Sequence, residues 1–204
     1  MDLLSIMDLM SIKKYAAEFI GTFVLAFTVS LSLAGQFPVP TGFLAALALG
    51  IGVYTVGAIS GAHLNPAVTI GLASIGKIGL KDAGLYLASQ FLGGGLALLL
   101  THLTTNPAAL QVANSGVVFQ GEVFGTAVLA LGVAAVFCGK APAAASGLTI
   151  GGALLVGISI AASFSNAVLN PAVALAIGSF NLTYLFAPIV GSIIAMQIYR
   201  WVQS

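Results

Sequence analysis

Two five-residue runs carry most of the polar chemistry of this sequence, Leu64-Asn65-Pro66-Ala67-Val68 and Leu169-Asn170-Pro171-Ala172-Val173. Each opens a short apolar segment, Pro66–Ile75 and Pro171–Phe180, about half a bilayer long at roughly 1.5 Å per residue. Asn is a favoured helix N-cap and Pro is tolerated at the first helical position, so each run reads as a helix start. The side-chain amides of Asn65 and Asn170 can offer N–H groups to something passing between them. Glu18 and Glu122 are the only acids inside long apolar stretches, and ionisable groups placed there are expensive and usually functional. His63, two residues before Asn65, is placed to line or support a vestibule. With His102 it makes a poor metal pair, because no third ligand stands at useful spacing. The set hydrogen-bonds a neutral solute; it contains no catalytic group, no metal site and no cofactor site.

The elements that must position these residues are membrane spans. Charged residues are 5% of 204, where a soluble domain carries roughly 25%. Apolar residues are 59% and mean hydropathy is +1.12, which excludes a soluble protein. The apolar stretches run about 20 residues, long enough for helices and too long for barrel strands. Six are expected, near Tyr15–Leu33, Thr41–Ile59, Ala83–Thr101, Val117–Cys138, Ala143–Phe164 and Leu182–Trp201. Residues 1–204 then form one transmembrane domain with no added soluble part. Lys13 and Lys14 follow the mixed stretch Met1–Ile12 rather than precede it, which argues against a cleavable signal peptide. A net charge of +1 gives no nucleic-acid footprint, and the single Cys138 excludes an internal disulfide.

Lys13 and Lys14 precede the first span, Lys77 and Lys81 lie between the second and third, Lys140 between the fourth and fifth, and Arg200 ends the sixth. All fall on one side, a split that chance gives about once in thirty, and the positive-inside rule makes that side cytoplasmic. The expectation is a multi-pass protein of the cell (plasma or inner) membrane with both termini in the cytoplasm.

The chain also resembles itself at an offset of about 104, in repeats near 15–101 and 117–201. Glu18-Phe19-Ile20-Gly21-Thr22 matches Glu122-Val123-Phe124-Gly125-Thr126, and the two Asn-Pro-Ala runs match each other. Tyr86-Leu87 with Gly93 matches Tyr184-Leu185 with Gly191 at a shorter offset. Asn106-Pro107-Ala108 is a third triplet, but it sits in a polar loop without a counterpart and reads as a chance turn. His102 reads as part of the same outside loop. Three spans per half is an odd number, so the second half enters from the opposite face, an inverted repeat with its solute path near the midplane. Irregular backbone ahead of a half-span is tolerated in a membrane only where protein buries it or a wet cavity passes. Two half-helix N-termini meeting there each contribute roughly half a positive charge, which repels cations and hydrated protons.

Paired Asn-Pro-Ala half-helices in a six-span inverted repeat resemble the aquaporin and glycerol-facilitator (major intrinsic protein) family. Ala17-Glu18-Phe19 with Gly21-Thr22, and Ile59-Ser60-Gly61-Ala62-His63, support the resemblance, which spans Ala17 to about Arg200. It implies an all-α fold of six transmembrane helices and two re-entrant half-helices, passive flow, and a homotetramer with one pore per subunit in the lipid bilayer. It also implies that Glu18 and Glu122 brace the half-helix loops by accepting backbone N–H bonds. Pore motifs would be Asn65, Pro66, Ala67 and Asn170, Pro171, Ala172.

Most family members place Arg after the second triplet, where this chain has Val173. The other filter positions carry over to Ala45, Ile158 and Ala167, and the ring so formed is small-sided, uncharged and apolar. The water-selective pattern has an aromatic and a His in this ring; neither is present. Ala174 is not the Asp of typical glycerol facilitators, so a standard glycerol channel is not implied either. The reading is a passive channel for water and larger neutral solutes such as polyols, urea, ammonia, peroxide or metalloid acids. A secondary transporter and a structural membrane protein are the alternatives; no charged residue stands near a midplane site to couple ions.

The charge split makes a topological prediction. In a Cys138-free background, single cysteines at Thr105 and Asn181 should label from outside intact cells, and those at Lys77 and Lys140 only after the membrane is opened. Labelling on reversed sides would overturn the orientation.

Overall fold

A segment inside lipid must satisfy its own backbone polar groups, and a helix does so without a partner. A computed structural model describes residues 3–35, 37–107 and 109–204, with side chains from residue 12 onward. Among these residues the chain is all-α and has no strand. The helices are α1 (Leu3–Leu33), α2 (Thr41–Ser60), α3 (Pro66–Ser74), α4 (Leu80–Thr104), α5 (Gly116–Phe137), α6 (Ser146–Ala161), α7 (Pro171–Ala176) and α8 (Leu182–Gln203). A 3-10 turn at Ala143–Ala145 leads into α6. Six helices are long and apolar enough to cross a membrane, and α3 and α7 are the two short ones.

Several boundaries differ from the sequence expectation, and α6 (Ser146–Ala161) falls short of Ala143–Phe164 at both ends. α1 begins at Leu3, well before Tyr15, so its first turns precede the apolar span. α4 starts at Leu80 and takes in Lys81 and Asp82, because an acid in a first turn suits the helix dipole. At its far end α4 runs through His102, which was expected in a loop. Thr101, Thr104 and Thr105 hydroxyls donate to the carbonyls of Ala97, Leu100 and Thr101, and His102 Nδ1 lies 3.0 Å from Leu98 O. These polar side chains bond back onto the helix and carry it past its apolar stretch. α7 stops at Ala176 rather than near Phe180, since Gly178 turns the chain with φ +74°. Asn106 and Pro107 lie in the irregular loop before α5; Ala108 is outside the described residues.

α1 packs on α2 and α4, and α5 on α6 and α8, while α2 against α6 joins the two sets. The half-helices change sides: α3 packs mainly on α8, and α7 on α4 and α1. At one end α1 is pinned to α4, with Lys14 Nζ and Tyr15 Oη each 2.7 Å from a different oxygen of Asp82. Lys77 and Lys140 lie at this end too, hereafter the basic end. Large apolar side chains such as Ile20, Val24, Leu92, Phe124, Phe186 and Ile198 point outward, as lipid contact requires.

Close crossings depend on small residues, since lipid supplies no hydrophobic drive between helices. A Cβ at Gly93 would stand 2.5 Å from Phe19 O, and one at its repeat mate Gly191 would strike Val123 O. Next to Gly93, Gly94 is pressed on the backbone carbonyl of Ala172, whereas Gly95 faces open space. Gly94→Ala should therefore destabilise by about 1–3 kcal/mol through overpacking. Gly95→Ala should be neutral or stabilising by up to about 1 kcal/mol, from helix propensity alone. Thermal melting of the two purified variants checks the contrast.

Candidate functional site

Between α2 and α3, and again between α6 and α7, the chain crosses the protein interior without regular structure. In each crossing two non-glycine residues adopt the left-handed region: Ala62 (φ 50°) and Leu64 (φ 49°), then Ala167 (φ 52°) and Leu169 (φ 57°). Such residues cost energy and persist where the surroundings over-determine them. A buried carboxylate over-determines each crossing. Glu18 Oε1 accepts from His63 N (2.9 Å) and Oε2 from Leu64 N (2.7 Å). Glu122 Oε1 accepts from Val168 N (3.0 Å) and Oε2 from Leu169 N (2.7 Å). Successive backbone N–H groups turned to one side form a cradle for an anion, and here the anion is a side chain. Both glutamates are fully buried, so Glu18 does not face the headgroups.

Two serines complete the cradles; from sequence alone Ser60 figures only within a supporting run, and neither serine has a role. Ser60 Oγ donates to Glu18 Oε1 (2.6 Å) and accepts from Ala62 N (3.0 Å). Ser165 Oγ donates to Glu122 Oε1 (2.6 Å) and accepts from Ala167 N (2.9 Å). Both stand five residues before an Asn-Pro, so the internal repeat contained the signal. The tyrosines matched at the shorter offset also hold the crossings: Tyr86 Oη donates to Ser60 O (2.7 Å), and Tyr184 Oη accepts from Asn166 N (3.0 Å).

The halves differ in their further polar support. Gln90 Nε2 reaches Glu18 Oε2 (2.8 Å) and Thr69 Oγ1 (2.9 Å), and Thr69 Oγ1 donates to Asn65 O (3.1 Å). With that hydroxyl proton committed, His63 Nδ1, 3.0 Å from Thr69 Oγ1, is the donor of their bond. The His63 ring also meets Tyr86 and Phe137 edge-on, at 5.0 and 5.5 Å between centroids.

The asparagines cross the midline. Asn65 Oδ1 caps α3 by accepting from Ala67 N (2.8 Å), and Asn170 Oδ1 caps α7 from Ala172 N (3.0 Å) and Val173 N (3.3 Å). Asn65 Nδ2 donates to Leu169 O and Asn170 Nδ2 to Leu64 O, both at 2.9 Å. Each half-helix start is thus tied to the other half's crossing. A primary amide has two N–H groups, so one on each Asn is left for the space between.

That space is a cavity of about 160 Å³, lined by Asn65, Asn170 and His63. Ala45, Ile158, Ala167 and Val173 all line it as well. Pro66, Ala67, Pro171 and Ala172 are buried behind it. Glu18 and Glu122 support the wall without lining it, and no cluster of three metal-ligating side chains occurs among the described residues.

The family model described as "Major intrinsic protein" matches residues 5–199. Aquaporin Z of Rhodopseudomonas palustris is 34% identical, with 94% of this chain and 93% of that one covered. A Thermotoga maritima protein described as "Probable glycerol uptake facilitator protein" is 30% identical, with coverage of 92% and 98%. Among solved structures, the aquaglyceroporin from Plasmodium falciparum aligns with a TM-score of 0.78 at 26% identity, covering 95% of this chain and 97% of that one.

The cradles make a stability prediction. Glu122→Gln leaves an amide NH₂ facing at least one buried donor, a loss of about 1–3 kcal/mol. Glu18→Gln should cost more, because four donors converge on that carboxylate. Thermal unfolding of purified protein in detergent reads both; equal, near-zero shifts would mean that the cradles do not hold the crossings.

Proposed function

We propose, for a chain that belongs to the major intrinsic protein family and is a passive channel for water and small solutes, that solutes cross through the cavity between Asn65 and Asn170. The observation that carries this reading is the reciprocal Asn pair, which leaves one amide N–H on each side aimed at a neutral passer-by. The positive ends of α3 and α7 meet at the same level, so cations are repelled there. Glu18 and Glu122 have both oxygens committed to donors and serve as braces, which leaves no free acid inside the spans among the described residues to couple a proton to transport.

Ala45, Ile158, Ala167 and Val173 form the filter, at the end away from the basic residues. Four uncharged side chains with no hydrogen-bonding group make a mouth wider and more apolar than one narrowed by arginine. The channel therefore passes water together with larger neutral solutes, of the size of urea or small polyols, and excludes ions by the half-helix dipoles alone. Relatives named for water and for glycerol match at similar identity, 34% and 30%, in keeping with a pore of neither standard type. His63 lines the vestibule at the basic end, which faces the cytoplasm with both termini. The chain acts as a homotetramer in the cell membrane, one domain and one pore per subunit, with no cofactor and no enzymatic step.

Val173→Arg tests the filter. Asn166 lines the same cavity with its amide nitrogen donating to Ser179 Oγ and Gln111 O, so its Oδ1 is the side-chain amide acceptor on that wall. Urea and glycerol flux into proteoliposomes should fall on the order of tenfold, a barrier change of about 1.4 kcal/mol, with water flux reduced far less. A folded variant with an unchanged solute cut-off would place the filter elsewhere.

A further inference from the structure

The filter ring has a mate inside the same cavity. Asn65 and Asn170 stand 105 positions apart (170 less 65), and the same step carries Val173 to Val68, Ala167 to Ala62, Ile158 to Val53 and, in the other direction, Ala45 to Ile150. Val68, Ala62 and Ile150 all line the cavity, together with the four outer residues. Val53 is buried beside them: a methyl placed on Gly57 would touch both Val53 Cγ1, at 3.9 Å, and Ala62 Cβ, at 4.0 Å. Phe137 on the basic-end wall and Leu33 on the opposite wall are mates at the offset of 104 that relates Glu18 to Glu122, and both line the cavity. An arginine at position 173 would break this pairing; valine at both 68 and 173 keeps it.

We propose that the pore holds two chemically matched apolar rings in series, one on each side of the Asn pair, and that Val68 and Ile150 set specificity as much as Val173 does. The inference rests on the pore reading above and deepens it by naming the solute class. At either ring a solute gives up hydration, and the ring side chains themselves offer no donor or acceptor in return. Polar side-chain contact comes from the two amide N–H groups at the centre, from His63 toward the basic end, and from Thr41 and Asn166 toward the outer end. Unpaired polar groups are costly to desolvate, so every hydrogen-bonding group on a solute is penalised twice. The class selected is a small neutral molecule with one hydrogen-bonding edge and one apolar face. Acetamide fits it better than urea, which has the same shape but carries an amino group in place of the methyl.

Series barriers leave a kinetic signature. Val→Thr keeps the shape and adds a hydroxyl, so Val173→Thr and Val68→Thr each lower one ring's barrier to urea. While the other ring stays apolar it carries half the resistance, and either single change raises urea flux no more than about twofold. The double variant, with both barriers lowered about tenfold, should raise it about tenfold, well beyond the product of the singles. Independent changes at separated sites normally combine without such an excess.

The experiment measures urea and acetamide uptake into proteoliposomes at matched protein content, with protein-free vesicles subtracted, for wild type, both singles and the double. Ile150→Thr replaces Val68→Thr if that variant does not reconstitute. The expected result is a wild-type preference for acetamide, singles that gain about twofold at most, and a synergistic double. Full gain from Val173→Thr alone, with none from the basic-end change, would remove the second ring and leave the pore reading intact. Wild-type uptake of urea equal to or above that of acetamide would overturn the solute class. Absence of any flux above protein-free vesicles would overturn the pore reading itself.

Discussion

A carboxylate buried in a helix bundle is ordinarily a liability, and this fold is built around two of them. Glu18 and Glu122 each gather consecutive backbone N–H groups and a serine hydroxyl from a segment that has no secondary structure of its own. Without those acceptors the donors would be unpaired in a region where water is scarce, and the left-handed residues at 62, 64, 167 and 169 would have no reason to persist. The remainder of the site depends on that anchoring. It fixes where each half-helix begins, hence where the two asparagines point and how much room lies between them.

The asparagines are constrained in the same way. An amide has one acceptor oxygen and two N–H groups, and here no two of them do the same thing. The oxygen caps its own helix, one N–H grips the other half, and one N–H faces the cavity. Aspartate would keep the cap and lose both donors. A hydroxyl side chain would keep a cap but could not reach across and also serve the cavity. Asparagine at both places follows from three requirements on one small side chain.

Much of this was legible in the sequence because membranes make strong demands on composition. Apolar runs of span length gave the six long helices, and the repeat of Glu-x-x-Gly-Thr and Leu-Asn-Pro-Ala-Val gave the inverted halves. The four carried-over ring positions do line one cavity with both asparagines. Features set by hydrogen bonds between distant segments were not legible. Ser60 and Ser165 look like ordinary small residues until their carboxylate partners are placed beside them. Gln90 and Thr69 support only the first half and so leave no trace in the repeat. Helix ends failed where local polar chemistry outweighed hydropathy. The threonines around His102 prolong α4 into a stretch that reads as loop, and Gly178 ends α7 early in a stretch that reads as helix.

The exchange of half-helices between halves bears on how the protein is made. α3 is the third helix to leave the ribosome, yet the surface it packs on belongs chiefly to α8, the last, where Gly71 lies against Ser192 and Met196. Asn65 likewise has its acceptor in the other half, Leu169, more than a hundred residues downstream. During synthesis the first three spans can insert and Glu18 can already hold the first crossing, but α3 lacks its main packing surface on α8, and Asn65 its partner Leu169, until the chain is nearly finished. The packing of α3 and the tie between the two asparagines are therefore completed only once α8 has been made. A chain truncated before α8 would hold an incomplete re-entrant segment inside the membrane, a ready mark for the quality-control machinery.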